Sequence, residues 1–184
     1  MNRVFISGSR KITRLSPEVR ARLDNIAKSG FTVLIGDANG ADKAVQSYFA
    51  QCAYPNVVVF CAGGICRNNV GGWQIRGIAP NGKRGFEFYA AKDLAMAQEA
   101  THGFMLWDAK SKGTLNNMLN MLKLSKKALV FFTPEQEFYN LADFNNLQQL
   151  LTRCAPMDLE KFASELPLSS FGLATTCQET LFAA

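Results

Sequence analysis

The chain has 184 residues, of which 48% are apolar and 19% charged, enough to bury a sizeable core and too apolar to stay disordered. Its 20 Lys and Arg against 15 Asp and Glu leave a net charge of +5 without any Lys/Arg block, which suits a phosphate-bearing ligand and argues against a nucleic-acid partner. No run reaches the ~18 apolar residues of a membrane span, the opening Met1–Gly8 is too short and too soon charged for a signal peptide, and five scattered cysteines with a single histidine, His102, do not make a zinc site. The expectation is a cytoplasmic protein with reduced thiols, no metal, no cofactor and no membrane contact.

Val4 to Ser7 is a short β-rich run that ends in Gly8-Ser9-Arg10. Ser16-Pro17-Glu18 then carries the marks of a helix start: an N-cap serine, a proline at the first helical position and an acid in the first turn. Val19, Leu23, Ile26 and Ala27 form its apolar face, and Gly30 ends it. Phe31 to Ile35 predicts a second strand, followed by Gly36-Asp37-Ala38-Asn39-Gly40-Ala41-Asp42 and a helix with Val45, Tyr48, Phe49 and Cys52 on one face. Val57 to Cys61 is a third strand, almost wholly apolar, as a strand covered on both faces should be.

From Ala62 to Gly85 the rhythm breaks, and half of the 14 glycines fall in this stretch together with Arg67, Trp73, Arg76, Lys83 and Arg84. A segment of this length is expected to be a mobile lid or an inserted hairpin (Trp73 to Ile78, turn near Asn81-Gly82), with a rigid interface-building insertion as the alternative. Phe88 to Ala100 resumes as a helix. Phe104 to Trp107 is the fourth strand and stops at Asp108. A small basic loop follows, Lys110-Ser111-Lys112-Gly113-Thr114, and Leu115, Met118, Leu119 and Leu122 then recur at helical spacing. Ala128 to Phe132 is the fifth strand. Gly113 permits close approach, Thr114 is placed to cap the helix, and free N–H groups at a helix start favour an anion.

Strands alternating with helices predict an α/β, Rossmann-like parallel sheet of about five strands with flanking helices. Residues 1–133 form this binding unit. Residues 134–184 form a small helical C-terminal extension (about Leu141 to Arg153 and Leu159 to Leu166) that packs on the domain or on a second subunit of a homodimer or larger homo-oligomer. Ligands of such sheets bind beyond the carboxyl ends of the strands, where the three glycine-bearing loops fall.

Four motifs in order carry a resemblance: G-S-R after the first strand, G-D-A-x-G-A-D after the second, K-D-x-x-M on the helix before the fourth, and W-D-x-x-S-K-G-T after it. Together, over residues 3–133, they resemble the SLOG superfamily, in its small bacterial and phage branch. The superfamily's Rossmann-like fold is shared by Smf-type DNA-processing proteins and Lonely-Guy phosphoribohydrolases. The resemblance implies that a nucleotide or nucleotide-derived ligand binds at Gly8, Ser9, Arg10, Gly36, Asp37, Gly40, Asp42, Lys92, Asp93, Ser111, Gly113 and Thr114. Asp108, at a strand end beside the basic loop, joins them from its position alone. Asn117 stands where the Lonely-Guy enzymes carry a glutamate, and an amide cannot serve as a base.

The leading functional expectation is therefore a module that binds or senses a nucleotide-type small molecule. An enzyme acting at a nucleoside N-glycosidic bond, with Asp42, Asp93 or Asp108 replacing the missing glutamate, is the alternative. Single-stranded DNA binding, as in the Smf-type relatives, ranks below both because the charge is modest and unclustered.

Overall fold

The computed structural model describes residues 2–63, 65–79 and 86–173. Their order is β1 (Arg3–Gly8), α1 (Pro17–Lys28), β2 (Thr32–Gly36), α2 (Ala41–Gln51), β3 (Val57–Ala62), β4 (Gln74–Ile78), α3 (Phe86–Glu99), β5 (His102–Trp107), α4 (Lys112–Lys123), β6 (Ala128–Phe132), β7 (Glu137–Leu141), α5 (Phe144–Leu151) and α6 (Pro156–Glu165), with a 3₁₀ turn at Leu168–Phe171. The strands form one sheet in the order β4-β3-β2-β1-β5-β6-β7. All pairs are parallel except β6 with β7. No helix among the described residues is long and apolar enough to cross a membrane.

Among the described residues the sheet thus has seven strands rather than about five. The two extra ones are the edges. Gln74–Ile78 and Glu137–Leu141 are each bonded on one side only, and their mixed polar and apolar residues are largely exposed or half-buried. They lack the continuous apolar run that marks a strand covered on both faces. β4 runs parallel to β3 and does not turn back on it; the turn expected near Asn81-Gly82 lies outside the described residues.

Alternation along the central strands sends side chains to two cores. Val4, Ile6, Val33, Ile35, Val59 and Leu106 pack with α1 and α2 on one face. Phe5, Leu34, Phe60, Met105, Trp107 and Phe132 pack with α3, α4, α5 and α6 on the other. Ser16 caps α1 by accepting from the Val19 N–H, with proline in the first turn, as the sequence predicts. The chain builds outward from β1 to β4 and then returns to the far side of β1 as β5. The strand order therefore reverses between β1 and β5, and in open parallel sheets the crevice at that point receives ligands.

Candidate functional site

At the reversal, Gly8 of β1 pairs with Leu106 of β5, and the two strands diverge into loops that hold each other. The Ser9 hydroxyl donates to Asp108 Oδ2 at 2.6 Å. Asp108 Oδ1 accepts the N–H groups of Lys110 (3.1 Å) and Ser111 (2.9 Å), so this carboxylate folds the basic loop, with Ala109 at a positive φ of 61°. Ser111 is the N-cap of α4: its Oγ accepts from the Thr114 N–H at 3.3 Å and from the Thr114 hydroxyl at 2.9 Å. The capping role expected of Thr114 therefore belongs to Ser111.

Glycines set the close approaches. A Cβ on Gly8 would lie 2.6 Å from the Ala41 Cβ, and one on Gly36 would lie 2.5 Å from Asp42 Oδ2 and 2.8 Å from Lys92 Nζ. Gly40, at φ 83°, would drive a Cβ to 2.2 Å from the Arg10 carbonyl oxygen, whereas a Cβ on Gly113 would meet nothing within 4 Å. Gly40→Ala is expected to destabilise by about 3 kcal/mol or more, because backbone strain adds to the clash. Gly113→Ala should be neutral or stabilising by up to about 1 kcal/mol, since alanine suits a helix better. Thermal unfolding of the two variants checks both expectations, and any ligand affinity lost by the Gly113 variant would then report close approach of the ligand.

Beneath the loops lies a buried charged group. Lys92 Nζ pairs with Asp93 Oδ1 at 2.7 Å, and Asp42 Oδ2 accepts the Ala38 N–H at 3.1 Å. Burial pushes the Asp42 carboxyl up to about 6, opposed by the Lys92 ammonium and reinforced by Asp93. Burial works against the Lys92 charge too, but the Asp93, Asp42 and Asp37 carboxylates more than offset it and hold its pKa above the usual value. Asn117 donates to Ser7 Oγ at 2.8 Å and weakly to Asp93 Oδ2 at 3.4 Å. Its Oδ1 is buried with no partner among the described residues.

The loop after β3 is fastened to the same edge. Arg67 donates to both oxygens of Asp37, from Nη2 to Oδ1 at 2.6 Å and from Nε to Oδ2 at 3.0 Å. Its own N–H adds a third bond to Oδ2, at 3.1 Å. Burial raises the Asp37 carboxyl, but the Arg67 hydrogen bonds outweigh it and leave its pKa below the usual carboxylate value. The Arg67 guanidinium lies 4.8 Å and that of Arg10 5.6 Å from the centre of the Tyr89 ring. Cys61 and Cys66 are joined as a disulfide, which corrects the expectation of reduced thiols: the turn after β3 brings two cysteines five residues apart side by side. Their ligand atoms and those of Asp37 lie within 4.8 Å of one another, but the sulfurs bind each other and Arg67 holds the carboxylate, so the group is occupied internally.

These elements enclose a cavity of about 610 Å³. Among the residues named from sequence, Gly8, Ser9, Arg10, Gly36, Asp42, Lys92, Asp93, Asp108, Ser111, Gly113 and Thr114 line it, whereas Asp37 and Gly40 do not. Sequence reasoning does not single out Lys11, Tyr89, Asp158 or Lys161, which also line it. Lys11 directly follows G-S-R and was within reach of the motif. Asp158 and Lys161 arrive on α6, from a segment without any motif. Arg10, Lys11 and Lys110 are exposed and make no ion pair among the described residues. Both oxygens of Asp108, both of Asp93 (Oδ2 weakly) and one of Asp42 are already engaged.

No protein-family model matches the chain, and no curated protein matches its sequence. A solved structure does match in fold: DNA processing protein A from Helicobacter pylori, described for its unique single-stranded DNA binding mode. The TM-score is 0.59 over 92% of this chain and 81% of that one, at 16% sequence identity. The two proteins share a fold, which in this chain is mixed α/β with a mostly parallel sheet. That likeness, with a single-stranded DNA-binding protein on the other side of it, corrects two expectations: the leading reading as a nucleotide sensor, and the exclusion of a nucleic-acid partner. The physical reason is that net charge averages over the whole surface. Arg67 and Lys92 are paired with Asp37 and Asp93. But Arg10, Lys11, Lys110 and Lys161, scattered in sequence and without an ion pair among the described residues, meet on the same cavity as Asp42, Asp93, Asp108 and Asp158, and where charges gather matters more to a polyanion than their total.

Proposed function

We propose that this chain binds single-stranded DNA across the carboxyl edge of its sheet. The observation that carries the reading is the set of unpaired cations Arg10, Lys11 and Lys110 around the switch-point cavity, on a fold shared with a DNA processing protein. In this reading Lys110, Ser111, Gly113 and Thr114 present the start of α4 to a phosphate, and Arg10 grips a second phosphate with its planar fork. Gly8, Ser9 and Asp108 shape the loops, while Gly36, Asp37, Gly40, Asp42, Lys92 and Asp93 build the floor. Residues 1–133 are read as a SLOG-type binding unit of the bacterial and phage branch, and residues 134–184 as an extension that adds α6 to the rim.

The test is fluorescence anisotropy of a labelled sixteen-residue oligo(dT) titrated with the full chain at several salt concentrations. Binding should weaken linearly on a log–log plot, with a slope of about −2 or steeper, the minimum being set by three phosphates neutralised at about −0.7 each around the cavity. No binding at low salt, or an affinity indifferent to salt, would sink the proposal.

A further inference from the structure

Beside the switch-point cavity lies a second groove of about 460 Å³, bounded by Arg14, Arg20, Lys43, Tyr48 and Gly40. The two hollows meet at a ridge where the Arg10 backbone rests against Gly40. Arg14, Arg20 and Lys43 are all exposed, and none makes an ion pair among the described residues. No carboxylate lines the groove. Asp24, next to it, is occupied by the Tyr48 hydroxyl at 2.6 Å, Glu18 on α1 interacts with Ser16, and Asp42 is buried toward Lys92. Lys43 also sits in the first turn of α2, which starts at Gly40 with no side-chain cap. A cation there opposes the helix dipole; the acid of the same turn, Asp42, is buried toward Lys92 and the Ala38 N–H and does not line the groove. An anion in the groove would satisfy both the cation and the uncapped helix start.

Resting on the single-stranded DNA reading, we propose that this groove is a second backbone subsite. The strand leaves the cavity over the Arg10–Gly40 ridge, and its next phosphates lie along Arg14, Lys43 and Arg20 between the starts of α1 and α2. The contacts are to phosphates alone, so the track is indifferent to base sequence.

The experiment compares four- and sixteen-residue oligo(dT) on the full chain and on the variant Arg14→Gln/Arg20→Gln/Lys43→Gln, all three residues being exposed and unpaired. An unchanged melting temperature verifies the fold. The expected result is at least a tenfold loss of affinity for the longer strand and a salt slope shallower by about 2, from three phosphates at about 0.7 each. The short strand fills only the cavity, and its affinity should stay within twofold. Equal loss at both lengths, or none at the longer, overturns the track. So does a wild-type chain that binds both lengths equally per register, which leaves the cavity as the whole site. A wild-type chain that binds neither overturns the DNA reading itself, and this inference with it.

Discussion

Replacing Arg10 and Lys110 together with alanine is expected to weaken single-stranded DNA binding at least a hundredfold while leaving the melting temperature where it was. Both side chains are exposed and neither makes an ion pair among the described residues, so the fold loses little. A hydrogen bond to a charged group contributes about 1.5–3 kcal/mol, and two of them give the hundredfold. Anisotropy with oligo(dT) measures the loss. An unchanged dissociation constant would make both residues ordinary solvated surface and leave the loop after β5 without its assigned role.

The second large effect is on stability. Lys92 is 4% exposed, and Lys92→Met would strand Asp93 and Asp42 without their cation. Removing one partner of a buried ion pair costs about 3–5 kcal/mol, and that is the destabilisation expected at pH 7. It should shrink with acid. Asp42 titrates near 6 in the folded protein against an ordinary 3.8. The folded state therefore binds the extra proton between those values, and stability rises as pH falls from 7 toward 4. That gain amounts to at most about 3 kcal/mol, at 1.36 kcal/mol per unit. Asp37, held below its usual value by Arg67, works in the opposite sense, and its contribution is lost only at more acid pH. Urea unfolding at pH 7 and pH 5 separates the two carboxylates. The Lys92→Met penalty should fall at pH 5, and Asp42→Asn should flatten the pH dependence within the window. A penalty equal at both pH values would show that the ammonium does not compensate Asp42.

Strands β1, β2, β3, β5 and β6 were legible because each is a short apolar run bounded by glycine, polar residues or a helix start, and both of its faces are buried. The edges were not, since Gln74–Ile78 and Glu137–Leu141 mix polar and apolar residues as half-solvated strands do. Within the site, the strand-end loops announced themselves through Gly8-Ser9-Arg10 and Ser111-Lys112-Gly113-Thr114. Pairing across the fold did not. Arg67 reads in sequence as a lid cation and Asp37 as a ligand or a cap, and no local pattern says that each holds the other at a separation of 30 residues. The charge argument failed similarly, because Lys161 reaches the cavity from α6.

The extension after residue 133 is bound to the site by more than proximity. β7 supplies the outer hydrogen-bonding partner of β6, Phe162 of α6 lies 6.0 Å from Trp107 ring to ring, and Glu165 pairs with Lys112 in the first turn of α4 at 2.8 Å. Excising the segment would uncover Trp107 and Phe132, leave β6 with a bare apolar edge of the kind that aggregates, and free the helix whose start faces the cavity. A shortened chain ending near Thr133 would therefore report on its own exposed core rather than on the proposed DNA site, and moving the strand-end loops onto another scaffold would have to carry α6 along.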